Sequence, residues 1–127
     1  MANKKRVLEK LKKKVQKHGV ITAEYVGNMG GKTCYCAVGH LMTLCGVDME
    51  EVKMMYNSDV IGVFENSNRR KLIQPMLDEG FTMSDLRRLQ IINDDSGNFT
   101  RKKDVLEEID IMIQELEGKR IESEHWY

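Results

Sequence analysis

Apolar residues recur at helical spacing along most of the chain, and this pattern predicts a series of short amphipathic helices. Over residues 3–18 the apolar positions form one stripe among lysines, and Gly19 follows as a helix stop. The stripe consists of Val7, Leu8, Leu11 and Val15. A second long stripe, which includes Ile109 and Met112, predicts the last helix over residues 101–117.

Three shorter helices are predicted in the first part of the intervening sequence. The largely apolar run 34–45 is the first of them, and the second begins at Asp48. The third extends over 67–79, with Ser67 as its cap. Pro75 falls inside this run, where it lacks an amide donor, so we expect a kink or a fresh start with Pro75 in the first turn.

One more helix precedes the last one. Its apolar residues include Leu86 and Leu89, and Thr82 or Ser84 is placed to cap its first turn. It stops in the polar segment 93–98, which is rich in residues that favour turns.

The predicted fold is therefore all-α: a single compact domain, residues 1–118, of five or six short helices. One short extended segment is allowed, either at 20–26, which is β-branched and partly alternating, or at 60–65. Residues 119–127 are predicted to be a C-terminal tail.

Composition supports a small helical domain and disfavours a membrane protein. Of the 127 residues, 41% are hydrophobic and 31% are charged, and no apolar run approaches the roughly 18 residues that a membrane span requires. The lysine-rich start leads into no apolar signal core, so we expect a cytoplasmic location, in a bacterial host cell. Three cysteines cannot all pair, which favours buried thiols over disulfides.

Charge is divided unevenly along the chain, although the formal net charge is zero. Residues 1–18 carry eight basic side chains against Glu9 alone, and the remaining 109 residues carry 12 basic and 19 acidic side chains. The basic residues are Lys4, Lys5, Arg6, Lys10, Lys12, Lys13, Lys14 and Lys17. This patch fits an acidic protein partner, a nucleic acid, or the domain's own acidic surface. Since no aromatic residue interleaves with the lysines, nucleic acid is not the first choice.

A glycine-rich stretch, residues 27–33, resembles the end of a phosphate-binding loop because it closes with Gly31, Lys32 and Thr33. The spacing is wrong, since Val26 stands where the first glycine of that motif belongs. A helical chain also lacks the parallel sheet that the motif requires. We therefore expect these glycines to shape a turn that leads into a helix, and we expect no cofactor.

Four side chains after this turn have the chemistry of zinc ligands: Cys34, Cys36, His40 and Cys45. On a single helix, however, Cys45 would lie about 140° around the axis from His40, so the four cannot surround one ion. We predict no metal site here.

A cysteine-dependent enzyme is a second chemical interpretation of this stretch. Cys36 and His40 stand at i and i+4, within reach of each other, and a helix N-terminus lowers the pKa of a thiol. Nucleophile and base on one helix would be an unusual arrangement. The simpler interpretation is a buried apolar helix, in which Gly39 permits close approach of another helix.

Two short motifs resemble a group of small bacterial and phage domains of uncharacterised function. The first is a cysteine-x-x-glycine-x-leucine helix, matched by Cys36, Gly39 and Leu41. The second is a leucine-glutamine…asparagine-aspartate segment, matched by Leu89, Gln90, Asn93 and Asp94. The resemblance covers about residues 20–116 and implies a compact helical fold from a phage, prophage or mobile element. It implies no catalytic residues, and the group commonly has alanine at the position of His40.

The polar residues of the second motif have two physical interpretations. Gln90 and Asn93 lie near the end of a helix, where side-chain amides satisfy free carbonyls. Alternatively, a small-ligand pocket is formed by Cys36, His40, Gln90, Asn93 and Asp94, because pockets between helices commonly hold ligands.

These observations favour a non-enzymatic protein. The leading expectation is a phage- or mobile-element-type accessory factor that binds another protein, as an inhibitor of a host or defence protein. The alternatives are a small-ligand-binding or cysteine-dependent enzyme using Cys36 and His40, and a protein that binds nucleic acid through the basic N-terminal helix.

Overall fold

A computed structural model describes residues 3–22, 25–53, 60–66 and 69–118 of the protein. Within these ranges the chain is mainly helical, with one small antiparallel sheet. The helices are α1 (Lys4–His18), α2 (Ala37–Leu44), α3 (Met49–Lys53), α4 (Val60–Glu65), α5 (Gln74–Asp78), α6 (Met83–Asp95) and α7 (Arg101–Leu116), with a 3₁₀ helix at Arg70–Leu72 before α5. The strands are β1 (Val26–Met29) and β2 (Lys32–Tyr35).

The sheet is a hairpin, and it corrects the prediction of an all-α fold. Its turn is Gly30-Gly31, with φ angles of 60° and 80° between the paired residues Met29 and Lys32. Positive φ at both positions is the requirement of the tight turn whose twist matches two antiparallel strands. The Asn28 side chain closes the turn by accepting a hydrogen bond from the Gly31 amide (3.0 Å). The glycines therefore join two strands, and not a loop to a helix.

The extended structure also lies elsewhere than predicted. β1 begins at Val26, the last residue of the predicted segment 20–26, and the other segment, 60–65, forms α4. The predicted helix 34–45 is shorter, because pairing of Val26 with Tyr35 keeps residues 32–35 in the sheet. Cys36 then serves as the N-cap of α2.

Local capping signals, in contrast, place several helix ends correctly. α1 ends at Gly19, whose φ is 70°. α6 begins after Thr82 with a capping box, in which the Thr82 hydroxyl accepts from the Asp85 amide and the Asp85 carboxylate accepts from the Thr82 amide. Pro75 starts α5 in its first turn, so the fresh start is confirmed. The predicted cap Ser67 and the tail 119–127 lie outside the described residues.

One hydrophobic core connects the elements. α1 packs against α7 and α2, and α6 packs against α7, α2 and α4. All four residues of the predicted stripe on α1 are buried, as are Ile109 and Met112 of α7. Over the part of the chain that the structure describes, no helix has both the length and the apolar character to cross a bilayer.

Candidate functional site

The Cys36 thiol caps α2 from inside the protein. Its sulfur accepts a hydrogen bond from the Gly39 amide (3.3 Å), and the Cys36 amide donates to the Tyr25 carbonyl (3.3 Å). Burial raises the pKa of Cys36 to about 12. The thiol is therefore protonated at neutral pH, whereas the nucleophile of a cysteine enzyme is a thiolate.

Gly39 lies where α2 touches the chain just before β1. A Cβ atom on this residue would stand 1.8 Å from the Tyr25 carbonyl oxygen and 2.9 Å from its carbon. Only glycine leaves room for this contact. The prediction was close approach of another helix, whereas the close neighbour of Gly39 is the non-helical backbone of Tyr25, whose side chain packs against the core.

His40 is buried and holds the end of α1. Its Nε2 lies 2.7 Å from the Gly19 carbonyl oxygen, which can only accept, so Nε2 carries the proton. The ring lies 5.2 Å from Tyr35 and 6.3 Å from His18, centroid to centroid. Burial lowers the pKa of His40, with a further decrease from the nearby charge of Lys14.

The other ring nitrogen of His40, Nδ1, is buried and has no hydrogen-bond partner within the described residues. Since Nε2 is committed to Gly19, neither nitrogen is hydrogen-bonded to the Cys36 sulfur. The pair therefore lacks the contact that a nucleophile and its base require. His40 therefore packs from α2 against His18 of α1 and Tyr35 of β2.

Asn93 of α6 connects two segments that are distant in sequence. Its Oδ1 accepts from the Ala37 amide (3.0 Å), the first amide of α2, and its Nδ2 donates to the Ile21 carbonyl (2.8 Å). The same Nδ2 lies 3.3 Å from the carboxylate of Asp94. Both functional atoms of this buried amide are thus occupied by backbone.

The five predicted pocket residues are only partly brought together. Asn93 touches the start of α2 beside Cys36, and Gln90 Nε2 lies 3.5 Å from the Tyr25 hydroxyl. Asp94 is exposed. The contacts of Cys36, His40 and Asn93 are hydrogen bonds to backbone that hold α2, the hairpin and α1 together.

The four candidate metal ligands are distributed over β2 and over α2 with its two caps. Cys34 lies in β2, Cys36 and His40 lie at the start and middle of α2, and Cys45 is the C-cap of that helix. Across residues 3–22, 25–53, 60–66 and 69–118 no three His, Cys, Asp or Glu side chains form a group able to hold a metal ion.

The basic patch of α1 is divided between paired and unpaired side chains. Lys4 contacts Asp85 (2.6 Å), Lys5 contacts Glu117 (2.9 Å) and Lys12 contacts Asp110 (2.8 Å). Lys14 donates to the Thr43 hydroxyl (2.6 Å). Four of the eight basic side chains therefore bind other parts of the same domain. Two of the ion pairs join α1 to α7 or to the C-cap of α7.

The other half forms what we call the basic stripe: Arg6, Lys10, Lys13 and Lys17. All four are exposed, and within the described residues none has an ion pair or a side-chain hydrogen bond. The spacing of 4, 3 and 4 residues places them on one face, within about 60° of one another around the helix axis. That face is opposite the buried stripe of α1.

An exposed aromatic residue, which the sequence-based prediction did not include, lies near Lys12 and Gln16 of α1. Phe99, in the loop between α6 and α7, is fully exposed. It borders an open groove of about 470 Å³ between α1 and α7, which we call the α1–α7 groove. Its lining includes Lys12 and Gln16 of α1 and Lys102, Leu106 and Glu107 of α7. The signal in the sequence that could have identified it is a phenylalanine directly after the polar turn segment 93–98, where a large apolar residue is unusual.

A second missed feature is a buried ionic cluster between α6 and α7. Arg88 donates to Glu108 (2.6 Å) and to Glu115 (2.9 Å), and the side chains of Arg88 and Glu108 are only 1% and 2% exposed. Polar residues at these positions resemble an ordinary solvated helix face, so nothing in the local pattern marks them as buried.

Comparison with known proteins adds no assignment: no protein-family model, no curated protein and no solved structure matches the chain.

Proposed function

We propose that the protein is a non-enzymatic binding protein whose partner is another protein. The observation that carries this proposal is the full exposure of Phe99 beside the α1–α7 groove. Large aromatic side chains are among the residues that contribute most binding energy at protein interfaces, where they fill pockets of the partner. In the isolated protein the Phe99 side chain is surrounded by water, so it contributes no packing energy to the fold.

The charges around the groove also fit a protein surface. Lys12 faces Asp110, and Lys103 lies 4.0 Å from Glu107, so both signs of charge alternate around Phe99 and Leu106. An apolar centre with a polar rim of mixed charge is the usual composition of a protein interface. Carboxylates at this site would repel the phosphates of a nucleic acid.

We do not propose the cysteine-dependent enzyme. Cys36 is a buried thiol with a raised pKa, and its sulfur and the His40 ring are engaged in separate contacts. The biological setting that we propose, a phage or mobile-element accessory factor that inhibits a host or defence protein, rests on the sequence resemblance alone.

The experiment is a comparison of three immobilised proteins in one bacterial lysate: wild type, Phe99→Ala and Leu116→Ala. Leu116 is the other exposed large hydrophobic residue among the described residues, and it serves as the matched control. We expect wild type and Leu116→Ala to retain the same partner. Phe99→Ala should retain at least tenfold less, since loss of an anchoring aromatic commonly costs about 2 kcal/mol or more. Equal retention by all three proteins, or no retained partner, would overturn the proposal.

A further inference from the structure

The basic stripe of α1 is a second surface, and it differs from the α1–α7 groove in both composition and position. It presents four cationic side chains, Arg6, Lys10, Lys13 and Lys17, over 12 residues, so the first and last are separated by about 16 Å along the helix axis. Its centre lies roughly 100° around α1 from Lys12 and Gln16, which line the groove. A substitution can therefore remove binding at one surface and leave binding at the other surface intact.

Intramolecular contacts do not explain the stripe. The flanking residues Lys4, Lys5 and Lys12 are neutralised by carboxylates of α6, the α7 C-cap and α7. The stripe receives no such partner in the described part of the chain. Its members stand at i+3 and i+4 from one another, where like charges repel and destabilise a helix. An external anion would relieve that repulsion.

One acidic residue lies near the stripe. Glu9 is the sole carboxylate of α1 and precedes Lys13 by four residues, a spacing that permits an ion pair, yet none joins the two side chains. With Glu9 included, the face still carries a net charge of +3. A straight, exposed row of this charge is complementary to a regular polyanion.

We infer that the basic stripe binds the phosphate backbone of a nucleic acid duplex, without reading its sequence. Along 16 Å of axis, each strand of a duplex presents about five phosphates, enough to engage all four cations. Arginine and lysine contacts to phosphate fix position but carry no sequence information. The stripe contains no apolar or aromatic side chain, whereas the centres of protein interfaces are enriched in aromatics and depleted in lysine.

The structure supplies a matched pair of variants for the test. Lys10→Gln with Lys13→Gln removes two charges from the stripe, and Lys5→Gln with Lys12→Gln removes two charges from the flanks. Both double variants have the same net charge, and all four side chains lie at the surface of α1. Circular dichroism melting curves establish that each variant is folded.

The probe is a fluorescently labelled 20-base-pair DNA duplex of mixed sequence, followed by anisotropy. For four phosphate contacts, wild-type affinity should decrease by about 100-fold between 50 and 200 mM salt. The stripe variant should bind at least about tenfold more weakly at 50 mM salt, and its affinity should decrease only about tenfold over the same range. The flank variant should behave like wild type. A second duplex of unrelated sequence should bind equally well.

Three results would overturn the inference. The first is no binding of wild type at 50 mM salt. The second is an equal loss in both double variants, which would show that only net charge matters. The third is displacement of the duplex by polyglutamate as effectively, per charge, as by unlabelled duplex, which would assign the stripe to an acidic protein. None of these results tests the role of Phe99, so this inference can be refuted while the proposed function stands, and the reverse.

Discussion

The side-chain oxygen of Asn93 accepts a hydrogen bond from the Ala37 amide, at 3.0 Å, across 56 residues of sequence. The amide nitrogen of the same side chain donates to the Ile21 carbonyl. One residue of α6 thereby fixes the start of α2 and the segment that leads from α1 to the hairpin. The motif that predicted a ligand pocket has a structural contact at its centre.

Replacing Asn93 should test that role. Asn93→Leu leaves the Ala37 amide and the Ile21 carbonyl without their partner in a buried site, and each orphaned group costs about 1–3 kcal/mol. We expect the free energy of unfolding, measured by urea denaturation, to fall by about 2–4 kcal/mol. Asp95→Asn, at the exposed end of the same helix, is the control and should change it by less than about 0.5 kcal/mol. A loss below 1 kcal/mol for Asn93→Leu would show that the contact is dispensable.

Gly39 offers a prediction in which two physical effects oppose each other. Alanine favours a helix over glycine by about 1 kcal/mol, but its Cβ would collide with the Tyr25 carbonyl. Because the obstacle is backbone, the collision should prevail, and we expect Gly39→Ala to destabilise by about 1–3 kcal/mol. Gly97→Ala is the matched control: its nearest neighbour would be the Thr100 hydroxyl at 3.8 Å. Thermal unfolding compares the two, and a melting temperature of Gly39→Ala at or above that of wild type would contradict the contact.

His40 should make stability depend on pH. Burial lowers its pKa in the folded protein, so between the unfolded value of about 6.5 and the folded value the unfolded chain binds more protons. Stability should therefore be complete above pH 6.5 and decrease as pH falls through this window, by no more than about 1.4 kcal/mol per pH unit.

The measurement is urea unfolding between pH 5 and pH 7.5 for wild type and His40→Gln. Glutamine retains an amide donor for the Gly19 carbonyl but does not titrate, so its pH dependence should be shallower. Identical slopes for wild type and His40→Gln would show that folding leaves the pKa of His40 unchanged, and would contradict this prediction.

The cysteines should differ in reactivity. Burial raises the pKa of Cys36 to about 12 and that of Cys45 to about 11, whereas Cys34 lies in the hairpin and is partly exposed. Treatment of the native protein with iodoacetamide at pH 7.5 should modify Cys34 first and leave Cys36 unmodified, as localised by tandem mass spectrometry. In denaturant all three should react. Rapid modification of native Cys36 would instead support the cysteine-dependent enzyme.

Local signals were sufficient for several parts of the fold. The apolar stripe of α1, the cap at Thr82 and the restart at Pro75 each depend on a few neighbouring residues, and each is confirmed. The two-residue glycine turn is a recognised hairpin signal, but the apolar run that follows it equally favours a turn into a helix, and only the pairing of Val26 with Tyr35 distinguishes the two.

The remaining features depend on contacts between distant segments. Burial of Arg88 requires Glu108, which lies 20 residues further along the chain. In the same way, the sequence identifies eight basic residues near the N-terminus but not which of them face carboxylates of α6 and α7. The hydrogen bonds of Asn93 to the backbone of Ala37 and Ile21 likewise join segments more than 50 residues apart, so spacing along the sequence could not predict them.

We propose that the protein acts through its surface, at Phe99, whereas Cys36, His40 and Asn93 make hydrogen bonds that hold the fold together. The most direct test is to measure partner retention and melting temperature on the same preparation of Phe99→Ala. Because this side chain is fully exposed, the melting temperature should remain that of wild type, while the partner retained by wild type is lost. Retention of that partner by a folded Phe99→Ala protein would contradict the account.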